Sequence, residues 1–197
     1  MNFLYKLTEK LKEYREISKV DEIARRYFVM NGFDGSLTIL GFLIGFYLAN
    51  FEDPVVIFVT GISTCVAMGI SGLWGAYLTE RSERISDLRE LEKATISNLN
   101  NTKIGSAYRF ATIVVATIDA VAPFITAIFS LIPFLFTNYL DIKTCYYISF
   151  VLTFTALFAL GVFLGRISKE NLFISGMKMV IAGIVSVLIS TLLIRNF

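Results

Sequence analysis

Apolar residues dominate long charge-free runs along this chain, and the polar residues collect before and between them. No charge interrupts the 17 positions between Asp34 and Glu52 or the 26 between Asp53 and Glu80. The same holds for the 21 between Asp119 and Asp141 and the 22 between Lys143 and Arg166. A helix rising 1.5 Å per residue needs ~20 apolar residues to cross a bilayer. The pattern predicts five spans, near residues 27–49, 55–79, 108–136, 144–164 and 172–194. Asn50-Phe51-Glu52-Asp53-Pro54 reads as a compact turn, with Pro54 suited to opening the second span. The third span is long for one crossing and contains Asp119, Pro123 and Pro133, which points to a tilted or kinked helix.

The polar blocks have a helical period of their own. In residues 1–26, Leu4, Leu7, Leu11 and Tyr14 recur at i+3 and i+4, with Ile17 following and lysines and arginines interspersed. This is the pattern of an amphipathic helix, either lying on the membrane surface or packed against a cytosolic segment. It lacks the uninterrupted apolar core of a signal peptide. Residues 80–106 continue the second span as a short polar helix that ends near Ser97–Thr102. The fold class expected is an all-α membrane protein of five spans, residues 27–197, preceded by the amphipathic helix. No internal repeat suggests an inverted-repeat transporter.

Composition narrows the function classes. Charged residues make up 17% of the 197 residues and hydrophobic ones 55%. A soluble domain carries about 25% charged residues, so a soluble globule is excluded. The chain has no histidine, which removes a His general base, a His-Cys zinc site and a catalytic triad. No enzyme and no permanent cofactor are expected. Cys65 and Cys145 stand far apart in apolar runs and read as small buried apolar residues. A net charge of +2 gives no reason to expect a nucleic-acid partner.

The distribution of charge says more than its sum. Seven basic residues precede the first span, and Arg81, Arg84, Arg89, Lys93, Lys103 and Arg109 follow the second. Arg166 and Lys169 lie between the fourth and fifth, whereas the other side holds Lys143 and Arg195. By the positive-inside rule the N-terminus is cytoplasmic and the C-terminus lies on the opposite side.

Few residues could carry chemistry inside such a chain. Asp34, in Asn31-Gly32-Phe33-Asp34-Gly35-Ser36, is a carboxylate in the first span; at the bilayer centre it would cost ~2.5–3.5 kcal/mol. It either binds a cation or relays a proton, or it is an interfacial cap that reaches water. Glu80, Glu83, Asp87 and Glu90 fall on a helical stripe about 80° wide. Oxygen ligands so grouped suit a hard divalent cation such as Mn²⁺ or Fe²⁺. The alternative is an exposed helix of mixed charge, with Arg84 pairing Glu80 at i+4. Met68 offers either a thioether ligand or packing. Asp119 is either part of a proton or ion path or a structural partner of Lys178. Gly41 and Gly45, and Gly161 and Gly165, form GxxxG patterns, and Gly72 lies in a run of glycines at every third position. All permit close helix contact, within a bundle or between two copies of the chain.

The segment Arg26-Tyr27-Phe28-Val29-Met30-Asn31-Gly32-Phe33-Asp34-Gly35-Ser36-Leu37-Thr38 resembles the first-helix motif of the vacuolar iron transporter family. Gly165-Arg166-Ile167-Ser168 and Ser175-Gly176-Met177-Lys178-Met179 are similar to that family as well. Gly75-Ala76-Tyr77-Leu78-Thr79 resembles its Gly-Glu-Tyr-Val-Ser. The resemblance implies a five-helix homodimer with a path between protomers, exporting Fe²⁺ and often Mn²⁺ from the cytosol in exchange for protons. It implies that Asp34 is the carboxylate in the path and that Glu80 and Glu83 begin a metal-collecting region. Two departures stand out. The motif glutamate is Ala76 here, and Gly72 aligns with the family methionine, with Met68 one turn earlier. The cytosolic segment is also short. A non-transporting structural or regulatory membrane protein that retains the fold is the alternative.

Overall fold

The structure is a computed structural model that describes residues 2–194. The side chains of Leu4 and Leu7, counted above in the amphipathic face, and the placement of Arg195 lie outside what is described. Six α-helices follow one another, α1 (Asn2–Ser18), α2 (Val20–Leu48), α3 (Pro54–Thr95), α4 (Lys103–Leu131), α5 (Ile142–Ser168) and α6 (Leu172–Ile194). A 3-10 turn, Ile132–Phe136, follows α4. No strand occurs among the described residues, so the all-helical expectation holds. Among the described residues five helices, all but α1, are long and apolar enough to cross a membrane. The chain divides into two compact units, Met1–Phe28 with Ile70–Ala120, and Val29–Gly69 with Val121–Phe197.

In the first unit, the N-terminal polar block is two helices rather than one. Lys19 adopts a left-handed backbone conformation (φ 50°), which ends α1 and lets α2 start seven residues before the expected span. Arg15 closes the corner on Asp21 with contacts of 2.8–3.2 Å, and this pairing raises the pKa of the guanidinium. Of the two placements open to α1, the contacts seen are those of packing against protein. Tyr14 meets Phe110 at a ring separation of 5.9 Å, and Glu13 bonds Lys103 at 2.6 Å. Val20, Ala111 and Val115 form the local core. The polar part of α3 continues the span without a break. At 42 residues the helix is ~63 Å long, about twice the ~30 Å hydrocarbon thickness. Trp74, 64% exposed, and Tyr77 stack loosely near the end of its apolar run, as interfacial aromatics do.

The second unit is the larger apolar body. Ile39, Leu43, Ile57, Cys65, Ala127, Leu131 and Tyr146 build its main core, and Leu40, Ile44 and Leu157 a second cluster. Glycines set the helix spacing where α2 meets α4. A methyl on Gly35 would lie 2.6 Å from Cα of Pro123, so nothing larger fits there. Thr126 Oγ1 donates to the Gly32 carbonyl at 3.0 Å, a buried inter-helix bond beside the same contact. Pro133 ends α4 as a regular helix because it lacks an N–H and crowds the preceding turn, so the expected third span finishes in 3-10 geometry. Both cysteines are free and buried, as expected. Helix starts are capped by side chains. Asp53 Oδ1 accepts from Val55 N and Val56 N, Asp141 accepts from Thr144 N, and Asn171 Oδ1 accepts from Phe173 N and Ile174 N.

Candidate functional site

The residues able to hold or pass an ion fall in both units. In the larger unit, Asp34 is the fifteenth of the 29 residues of α2, midway along the helix. Its side chain is exposed in the single chain, whereas its neighbours Gly35 and Ser36 are buried. Among the described residues it makes no hydrogen bond or ion pair. Met30, Asp34, Thr38, Gly41, Gly45 and Leu48 recur at three- and four-residue spacing and so share one outward face of α2. A methyl on Gly41 or Gly45 would meet nothing within 4 Å, so the shallow track below Asp34 is open. The second GxxxG pair is used differently. A methyl on Gly161 would collide with the Ser175 carbonyl, and one on Gly165 would lie 2.7 Å from Ser175 Cβ, so this pair seats α6 on α5.

Met68 lies half-buried against the main apolar core, where it packs beside the cluster that includes Cys65. Lys178 bonds Glu170 at 3.3 Å across the α5–α6 corner. The sequence left Asp119 open as its partner; the ion pair formed is instead with Glu170, eight residues away and brought round by the left-handed Lys169 at the end of α5.

The smaller unit gathers the buried charge. Gly72, Ala76, Glu80, Arg84 and Leu88 step along α3 at four-residue intervals, and the last four of them are buried. Glu80 is 2% exposed, while Glu83, Asp87 and Glu90 are exposed to solvent. The acidic stripe expected as one ligand set is thus divided, because its edge residue turns inward with the buried row. Among the described residues no three acidic or thiol side chains converge on one point that would hold a metal ion.

Two groups compensate the buried Glu80 carboxylate. The Tyr27 hydroxyl, from the start of α2, hydrogen-bonds it. The Arg84 guanidinium lies with Nε 3.6 Å from Oε2, and Arg84 in turn packs over the Tyr108 ring at 5.0 Å. Asp119, 5% exposed, also lies within electrostatic reach of Tyr27, as does Glu83. Its carboxylate approaches α3 at Gly72, where a methyl would stand 2.9 Å from Oδ2. Glu80 is thus balanced by Arg84, whereas Asp119 meets α3 two turns earlier, at Gly72.

Sequence reasoning missed Tyr27 and the inward turn of Glu80. The four-residue row of small residues leading to Glu80 was a readable signal for the second, since Ala76 and Glu80 one turn apart must share a face. No local pattern points to Tyr27, whose role depends on where α2 begins.

These features define a multi-pass helical membrane protein with carboxylates in and beside its spans. A sequence model of the VIT family, the vacuolar iron transporters, matches residues 102–195. An uncharacterized protein of Methanocaldococcus jannaschii is 35% identical over 178 residues, which cover 89% of this chain and 90% of that one. The chain belongs to the VIT family, whose members move metal ions across membranes. No solved structure matches it.

Proposed function

We propose that this protein exports a divalent metal ion, Fe²⁺ with Mn²⁺ as a second substrate, from the cytosol in exchange for protons, and that it works as a homodimer. The observation that carries the reading is Asp34: a carboxylate midway along a spanning helix, facing outward over an open glycine track. A charge so placed needs water, an ion or a second protein surface. A second α2 laid along the track would enclose two Asp34 side chains in one path.

Metal is collected on the cytosolic part of α3, where Glu83, Asp87 and Glu90 are exposed and Glu80 is buried. Glu80 stands one turn beyond Ala76, on the same face, and replaces the motif glutamate with a one-turn displacement. Proton coupling follows from competition, since a carboxylate that coordinates a metal must first lose its proton. The N-terminus is cytoplasmic, which places the basic segments and the acidic stripe on the side where metal is collected.

Mn²⁺ and Fe²⁺ flux into proteoliposomes under an imposed pH gradient, with Asp34→Ala in parallel, tests this. Wild type should give saturable flux that depends on the gradient, and the variant should lose at least nine-tenths of it. Equal flux from both proteins, or none from wild type, sinks the mechanism. The buried methyl of Ala76 favours the second reading, a non-transporting scaffold. Metal titration by calorimetry separates the two, because a scaffold has no saturable divalent site.

A further inference from the structure

We propose that Arg84 is a tethered counter-cation for Glu80, which an incoming divalent metal displaces and which thereby reports metal occupancy to helix α1. The inference rests on the reading of Glu80 as a carboxylate that receives the metal.

Four observations carry it. Arg84 is buried, 9% exposed, on the same face of α3 as Glu80. Its Nε lies 3.6 Å from Glu80 Oε2, beyond the 2.7–2.9 Å of a tight charge-assisted bond. Its Nη1 donates to the carbonyl of Ser18 at 3.1 Å. Its Nη2 is buried with no hydrogen-bond partner. A guanidinium that served only to fix the fold would use its fork on the carboxylate in two parallel bonds. This one is retained near Glu80 while one of its nitrogens is unpaired, a costly arrangement when buried. The Tyr108 ring beneath it lets the cation shift without losing all compensation.

The charge count gives direction. With Arg84 in place, its charge and that of Glu80 sum to zero. A divalent ion added beside the pair makes +2, whereas a divalent ion that takes Arg84's place makes only +1. Displacement is therefore favoured for a divalent ion, while a monovalent ion in its place only restores the zero already present. Ser18 is the last residue of α1, and its carbonyl is among those a helix end leaves without an N–H partner. Loss of the Arg84 bond loosens that end, where α1 turns into α2 through the left-handed Lys19.

Mn²⁺ binding to the full chain in detergent, followed by the paramagnetic resonance of free Mn²⁺, tests the competition. Arg84→Gln and Arg84→Met should each bind Mn²⁺ five- to fiftyfold more tightly than wild type. In a Glu80→Gln background, removal of Arg84 should change affinity by less than twofold. Hydrogen exchange of unmodified protein supplies a readout that needs no variant: saturating Mn²⁺ should speed exchange across residues 15–22, and K⁺ at equal ionic strength should not. Wild-type binding with unchanged or weaker binding in both Arg84 variants overturns the proposal. So does metal binding with no change in exchange at that corner. Absence of Mn²⁺ binding to wild type instead overturns the reading of Glu80 on which it rests.

Discussion

A methyl group on Gly72 would stand 2.9 Å from Asp119 Oδ2 and 3.2 Å from the Asp119 carbonyl oxygen, so α3 and α4 meet there by virtue of a missing side chain. Overpacking of this kind costs about 1–3 kcal/mol. Gly72→Ala should lower the thermal midpoint in detergent and reduce metal flux, because the carboxylate must move. Gly75→Ala is the control, since its methyl would meet nothing within 4 Å. Equal midpoints for the two variants would remove Gly72 from any role in placing Asp119.

The two GxxxG pairs should respond in opposite ways. Gly161→Ala drives a methyl into the Ser175 carbonyl and Gly176 Cα, and it should cost about 1–3 kcal/mol in the unfolding of a single chain. Gly41→Ala and Gly45→Ala should leave that stability unchanged and instead weaken self-association. Denaturant unfolding and sedimentation in detergent read these two effects separately.

If the outward face of α2 is where two protomers meet, introduced cysteines there should cross-link. Gly41→Cys and Gly45→Cys should give a species of twice the mass on mild oxidation, whereas Val185→Cys on the exposed face of α6 should not. The native Cys65 and Cys145 are buried and can stay in place. Cross-linking at 185 but not at 41 or 45 would move the interface elsewhere.

Asp141 supplies a pH-dependent contribution outside the spans. Thr144 donates to it from both its hydroxyl, at 2.6 Å, and its backbone N–H, at 3.1 Å, and these bonds hold its pKa below the ordinary aspartate value. A carboxylate with a depressed folded-state pKa stabilises the fold above the unfolded-state pKa, ~3.9, and loses that contribution as pH falls through the folded value. Asp141→Ala should therefore melt below wild type at pH 7. The two should converge as the pH is taken below about 4. A gap that persists in strong acid would assign the effect to something other than the cap.

Much of this arrangement was legible along the chain. The charge-free runs located the spans because the bilayer demands apolar length, and Pro54 marked the start of α3 because its fixed φ suits a first helical position. Boundaries set by a single unusual residue were harder. Lys19 gives no hint of its left-handed conformation, and so the first span appeared to begin at Tyr27 rather than within a helix starting at Val20. At the site, helical spacing places Glu80 on one stripe of α3 with Glu83, Asp87 and Glu90. It could not show that a neighbouring helix covers one edge of the stripe. For Lys178 the sequence left its partner open for a related reason: Glu170 lies in a loop whose return path depends on Lys169.

The exposed Trp74 lies six residues before Glu80 on an unbroken helix, ~9 Å along its axis. Indole rings settle at headgroup depth, so in a thicker or thinner bilayer α3 slides or tilts while Glu80 keeps its distance from the lipid phosphates. The carboxylate is thereby insulated from membrane thickness but immersed in the surface potential of the leaflet. Anionic lipids enrich divalent ions at that level, so under the proposed role of Glu80 the lipid headgroup composition becomes a determinant of metal loading.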